Sequence, residues 1–304
     1  MLIVRMMGNL GNQLFIYAMA RSIQLESNEK MIIDLSSLRR HYYTASYKLN
    51  KYNLPSNIVT TNLKELPFKS RLFLLFSSSI FHVEQKIQRS LSKNKTMSNK
   101  LCKRWNKRGC FYNFNRFFYA FDAHKKKNTY LYGYFQSPKY FDKYRSIIIQ
   151  DLSLKESLSD SEKKLIKDIE NCESVGVSIR TIYDKHGDSF IKKDYYLRAI
   201  EKMKEIVPNA KFYIFSDSIE NAKLLNLPEE SIFVNQPEST HQLNILSKCK
   251  HFILANSTFS WWGAYICCNP NKMVIMPFPW DKQGKYREDI YFDGAIRLDC
   301  KFEK

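Results

Sequence analysis

The run Ala255-Asn256-Ser257-Thr258-Phe259-Ser260-Trp261-Trp262-Gly263 sets two hydroxyls side by side at the start of what reads as a helix. It follows a short apolar stretch, residues 251–254, that reads as a strand. Unpaired N–H groups and the helix dipole make such a start a place for an anion, a phosphate above all. Ser257 and Thr258 are also ordinary caps, but cap geometry and phosphate geometry coincide, so neither reading excludes the other. Arg180 closes another strand-like run, residues 174–179, where a guanidinium can fork onto a phosphate or pair with a nearby carboxylate. Asp217 follows the run 211–215 and can accept from a base or a ribose hydroxyl, or cap the helix that begins at Ser218. A third junction, Gly8-Asn9-Leu10-Gly11-Asn12-Gln13, comes after the strand-like run 2–6. Gly8 and Gly11 suit a ligand cradle as well as a plain turn. Their spacing matches neither the dinucleotide fingerprint nor the P-loop.

Alternating elements must position these groups. The second half reads as strands over 174–179, 211–215, 231–234, 252–254 and 273–276, with helices over 161–171, 194–206, 218–224, 240–248 and 260–267. That alternation predicts parallel strands with crossover helices, and ligands of such sheets bind at the carboxyl ends of the strands. The first half reads as a strand over 2–6, a helix over 12–24 and a strand over 31–34. A loop over 39–52, a helix over 72–91, a strand over 129–135 and a short helix over 138–145 complete it. The join falls near the Ser-rich stretch 152–160, giving domains 1–155 and 156–304.

The chain has 304 residues and a formal net charge of +18. Such a charge attracts polyanions: nucleic acid, phosphorylated ligands or an anionic membrane surface. The excess is local. Residues 86–127 hold 13 Lys or Arg against one acid, Asp122, with many aromatics between them. Seven cysteines without regular spacing argue against a disulfide framework and for a reduced, cytoplasmic protein. Two aspartates separated by one residue occur nowhere, so a D-x-D metal site for a nucleotide-sugar diphosphate is not expected. No H-E-x-x-H, C-x-x-C or G-x-S-x-G occurs either.

Three segments, in order along almost the whole chain, resemble one family. Residues 8–18 (G-N-L-G-N-Q-L-F-I-Y-A) are similar to its G-G-L-G-N-Q-x-F-x-Y-A opening. Residues 212–217 (F-Y-I-F-S-D) and 255–263 (A-N-S-T-F-S-W-W-G), with Asn269-Pro270 following, are similar to its later motifs. The family is that of the bacterial α-1,2-fucosyltransferases, glycosyltransferase family 11. The resemblance implies a GT-B-like α/β fold: two Rossmann-like domains with a cleft between them, the first on the acceptor side, the second binding GDP-fucose.

The resemblance also implies an inverting reaction that uses no metal or cofactor. Arg180, with Ser178 before it, matches the donor-diphosphate motif, and Asn256, Ser257, Thr258 and Phe259 match the β-phosphate loop. Asp217 matches the acid near the guanosine, and Gly8, Gly11, Asn12 and Gln13 match the turn lining the acceptor cleft. Asp184, His186 and Asp188 follow the Arg180 strand and are the candidates for the general base. The family pattern H-[IV]-R-R-G-D-Y reads Ser178-Ile179-Arg180-Thr181-Ile182-Tyr183-Asp184 here. These departures raise two alternatives, a transferase for another GDP-sugar and a GDP-sugar-binding protein that has lost catalysis. The acceptor would be an oligosaccharide or lipid-linked glycan. The basic segment would then dock at the inner face of an anionic membrane, in preference to nucleic acid.

Overall fold

The computed structural model describes residues 1–38, 45–91, 99–114, 128–181, 190–282 and 288–302. Two compact units, Met1–Ser153 and Leu154–Lys304, are each built on their own parallel sheet.

In the first unit, β1 (Leu2–Arg5) leads into α1 (Leu10–Ser27), then β2 (Met31–Asp34), β3 (Ile58–Thr61), α2 (Phe68–Leu91) and α3 (Asn99–Asn106). β4 (Cys110–Asn113), β5 (Thr129–Gly133) and α4 (Arg145–Asp151) follow. The sheet order is β3-β2-β1-β5-β4, every pair parallel. The chain therefore leaves the β3 edge, carries α2 and α3 across the sheet, and returns at the opposite edge as β4. Leu74 and Phe81 of α2 and Leu101 and Trp105 of α3 pack with Ile3, Tyr112 and Tyr130 beneath that crossing. Trp105, Phe111 and Tyr112, aromatics of the basic segment, are thus core side chains and not exposed stacking platforms. Phe117, Phe118, Tyr119 and Phe121 of the same segment lie outside the described residues.

Why α1 begins at Leu10 is local. Gly8 takes φ +73, a left-handed value that favours glycine, and Asn9 (φ −77, ψ 178) is the extended residue before the first turn. A Cβ on Gly8 would also stand 2.6 Å from Asn12 Nδ2. Gly11, read from the sequence as part of the turn, is instead buried in the first helical turn. At the other end Asn28 (φ 53) donates its N–H to Gln24 O at 2.8 Å, closing the helix with a left-handed cap.

The second unit runs α5 (Asp160–Glu170), β6 (Ser174–Ile179), α6 (Lys193–Ile206), β7 (Lys211–Ser216), α7 (Ile219–Lys223) and β8 (Ile232–Phe233). It continues with α8 (Ser239–Leu246), β9 (His251–Ile253), α9 (Thr258–Ile266), β10 (Val274–Phe278) and β11 (Ile296–Asp299). The order is β11-β10-β9-β6-β7-β8, again all parallel. Val175, Val177 and Ile179 face α6 on one side. Gly176 faces α8 on the other, where a Cβ would stand 2.6 Å from Leu246 Cδ1. Helices on both faces make this a doubly wound sheet.

Ser159 starts α5 with a capping box: it accepts from Glu162 N at 3.3 Å while Glu162 Oε2 accepts from Ser159 N at 2.7 Å. Glu162 Oε1 also accepts from Gln236 Nε2 at 2.7 Å and meets His241 Nδ1 at 2.7 Å. Burial alone raises this carboxyl, but the Ser159 hydroxyl and N–H and His241 together hold it below its ordinary range. A depressed carboxyl contributes stability that is present above its unfolded value, about 4.3, and is lost as pH falls through the folded value. The stability difference between wild type and Glu162→Gln should therefore shrink as pH drops from about 5.5 toward 3, in urea titrations. A difference that stays constant or widens over that range would contradict this role.

Candidate functional site

Of the two sheets, the second holds the densest set of chemically capable residues. The chain winds outward from β6 through β7 to β8 on one side, and from β9 through β10 to β11 on the other. β6 and β9 are neighbours, so the crevice between their carboxyl ends is the topological switch point, where ligands of such sheets bind. Register then fixes what stands there. Val177 pairs with Ile253 and Ile179 with Ser216, so Asn256, Arg180 and Asp217 leave the sheet in one row.

Arg180 is half-buried at this edge, and Ser178 lies buried two residues earlier on the same strand. Asp217 braces the turn after Arg180: its Oδ1 accepts from Thr181 N at 2.7 Å and from Thr181 Oγ1 at 2.9 Å. The cap of α7 is Ser218, whose hydroxyl accepts from Asn221 N at 3.3 Å, so Asp217 is not spent on capping. From the sequence, Thr181 is only a departure from the family pattern. Its role follows only from the pairing register, although a hydroxyl directly after Arg180 is a signal of a kind.

Ser257 opens α9 in extended conformation (φ −123, ψ 130) and accepts from Phe259 N at 3.2 Å. Ser260 Oγ donates to Ala255 O at 3.1 Å and lies 2.9 Å from Ser257 O, tightening the turn from within. Asn256, Ser257, Thr258 and Phe259 are all half-buried at the strand end. Tyr195 of α6 donates its hydroxyl to Leu254 O at 2.8 Å and so pins the approach to this turn. Among the described residues, Arg180 and the start of a nine-residue helix come together at a switch point, an arrangement that suits a phosphate.

Trp261 and Trp262 belong to the scaffold. Both are fully buried, and Trp261 donates its indole N–H to Ile290 O at 2.7 Å. Trp261 stacks on Tyr265 and Phe292 with ring centroids 4.8 and 5.0 Å away. A Cβ on Gly263 would stand 2.5 Å from Leu246 Cδ2, so the glycine lets α9 close on α8. The A-N-S-T-F-S-W-W-G run thus joins a polar turn to a packing block.

In the first unit β1 and β5 are neighbours at the middle of the sheet. Gln136, after β5, donates to Asn12 Oδ1 at 2.8 Å, joining the segments that leave those two strands. Gln13 is fully buried and clasps the turn: its Nε2 donates to Gly8 O and Ser46 O, both at 2.9 Å, and its Oε1 accepts from Lys48 N at 3.0 Å. Its amide shapes the turn through these bonds and faces no solvent.

Asp184, His186 and Asp188 lie outside the described residues, within 182–189. Among the described residues no group of three His, Cys, Asp or Glu could hold a metal ion. Burial pushes the Cys102 and Cys110 thiols up to about 11, which leaves them poor nucleophiles.

A model of glycosyl transferase family 11 matches residues 1–297. An O-antigen biosynthesis glycosyltransferase, WbnK of Escherichia coli, is 28% identical over 327 residues, covering 96% of this chain and 98% of that protein. An alpha-1,2-colitosyltransferase of Escherichia coli is 24% identical over 316 residues, covering 99% of each. Among solved structures, fucosyltransferase NodZ from Bradyrhizobium superposes with a TM-score of 0.54 at 15% identity, covering 86% of this chain and 91% of that one. NodZ alpha-1,6-fucosyltransferase soaked with GDP-fucose gives 0.53 at 14% identity, with 87% and 91% covered. At these identities the structural likeness is one of fold.

Proposed function

This chain belongs to glycosyl transferase family 11, and from that premise we propose that it transfers L-fucose from GDP-β-L-fucose to a galactose-type hydroxyl of a surface glycan, in α-1,2 linkage. The observation that carries the donor side is the row of Asn256, Arg180 and Asp217 at the β6/β9 switch point, beside the start of α9. The diphosphate sits against Arg180 and the Ser257–Thr258 turn, and the braced Thr181 keeps Arg180 in place.

In the proposed step the acceptor oxygen attacks C1 of fucose from the face opposite the leaving group, forming one C–O bond as the C1–O bond to the β-phosphate breaks. The configuration inverts. GDP leaves with the electron pair, its new charge met by Arg180 and the helix start, and no metal is used. The acceptor proton goes to a base from segment 182–189, where Asp184, His186 and Asp188 are the candidates. A second donor has a specific observation behind it: the relative of 24% identity is a colitosyltransferase, and Ser178 and Thr181 depart from the family pattern. A related deoxyhexose on GDP is the alternative that the same site would serve. The seven thiols suit a reducing compartment, and the proposed setting is the cytoplasm.

Calorimetric titration with GDP and GDP-fucose in EDTA tests the donor reading. Micromolar binding of both is expected. Failure of both to bind, or binding restored only by Mg²⁺ or Mn²⁺, would overturn it. Turnover on a galactoside panel, with the product anomer read by NMR, then decides the sugar and the linkage.

A further inference from the structure

α2 is an amphipathic helix turned inside out. Its buried face carries Ser70, Ser77, Ser78 and Gln85 beside Leu74 and Phe81. Its outward face carries Phe68 (65% exposed), Leu72 (42%), Phe76 (63%), Ile80 (49%), Val83 (57%) and Ile87 (53%). In a surface helix of a globular protein the apolar stripe faces the core. An exposed apolar stripe this continuous, about 30 Å from Phe68 to Ile87 at helical rise, marks a contact surface.

The helix is locked in this rotation. The Ser77 and Tyr112 hydroxyls are hydrogen-bonded at 2.6 Å, and Tyr130 donates to Ser70 Oγ at 3.4 Å. Trp105 Nε1 donates to Glu84 at 2.8 Å, and Arg104 pairs with the same carboxylate. Rolling the apolar stripe inward would break all of these and strand polar groups in the core.

Charge selects the occupant. Phe68–Leu91 and Asn99–Asn106 together carry seven Lys or Arg and one acid, Glu84, which is already paired. Lys69 and Lys86 are exposed near the two ends of the stripe, and the Arg71 guanidinium lies 5.4 Å from the Phe68 ring centroid. A second copy seated on this face would bring like charges together. An anionic surface with an apolar layer beneath it satisfies both features. No helix among the described residues is long and apolar enough to cross a membrane.

We propose that α2 lies in the plane of an anionic lipid bilayer, with Phe68, Leu72, Phe76, Ile80, Val83 and Ile87 among the acyl chains and the basic side chains at the headgroups. This rests on the first unit alone, independently of the donor chemistry.

The test is co-sedimentation of the full chain with vesicles rich in phosphatidylglycerol, against vesicles of phosphatidylcholine alone. Wild type should bind the anionic vesicles, with affinity falling as salt rises. The double variant Phe76→Ser/Ile80→Ser should bind at least tenfold more weakly with its thermal midpoint unchanged, because both side chains are already in solvent. A Phe76→Trp variant should show blue-shifted emission on the vesicles and quenching by brominated acyl chains. Unchanged binding of the double variant, or Trp emission that ignores the vesicles, would overturn insertion by α2. A concentration-dependent dimer without lipid, abolished in the double variant, would assign the face to a second copy and overturn the proposal as well.

Discussion

Replacing Arg180 with alanine should abolish transfer and weaken GDP binding by roughly one to two orders of magnitude. A charge-assisted hydrogen bond to an ionised partner contributes about 1.5–3 kcal/mol, and the proposed guanidinium contact to the diphosphate is of that kind. The loss should be larger in the transition state, where charge develops on the departing GDP; removing one such preorganised donor costs about 10²–10³ in kcat. Arg180→Lys should fall between the two, since it keeps the charge and loses the fork. Calorimetry with GDP and single-turnover transfer, on variants whose circular dichroism matches wild type, separate the two effects. Near wild-type affinity and rate in folded Arg180→Ala would remove Arg180 from the donor site. Asp217→Asn is a useful companion. It leaves Arg180 in place but weakens the acceptor that holds the Thr181 N–H and hydroxyl.

Trp261→Ala should be the most damaging substitution for folding. The side chain is fully buried, its indole N–H has a partner in Ile290 O, and two aromatic rings stack against it. Truncating a buried tryptophan costs about 3–5 kcal/mol through lost burial and the cavity left behind. For a unit of this size that is a fall in Tm of roughly 10 °C. Differential scanning calorimetry reads the shift, and GDP titration well below the new midpoint reads the site. If Tm held while GDP affinity collapsed, Trp261 would be a ligand platform and not scaffold.

What could be read from the sequence depended on where each signal resided. β6, expected over 174–179, is observed as Ser174–Ile179, because Val175, Val177 and Ile179 alternate with small residues at the period of a strand. β3 and β11 are not legible in the sequence. Both are four-residue edge strands with half-exposed, partly polar side chains. α3 and β4 were hidden in the basic, aromatic stretch, whose charge is on the surface and whose rings are in the core. The helix expected over 72–91 is Phe68–Leu91, but periodicity gave no warning that its apolar face points outward. That depends on which serines find tyrosine hydroxyls beneath them. At the site, the identities of Arg180, Asp217 and Ser257 were legible as strand and helix ends. That Asp217 braces Thr181 was not, because it follows from the β6/β7 register.

The order β3-β2-β1-β5-β4 also sets a timetable. Leu2 of β1 pairs with Thr129 of β5, and 129 − 2 = 127 residues must be made before that partner exists. At about 5–20 residues per second the first strand waits roughly 6–25 s on the ribosome with one side unpaired. The phenylalanines of α2 emerge during that interval, before the strands that complete the sheet beneath them. The second unit waits less, since Val175 meets His251 after 251 − 175 = 76 residues and its other neighbour β7 sooner still. Nascent-chain protection, by chaperone or by the membrane itself, is therefore needed most by the half of the chain that is made first.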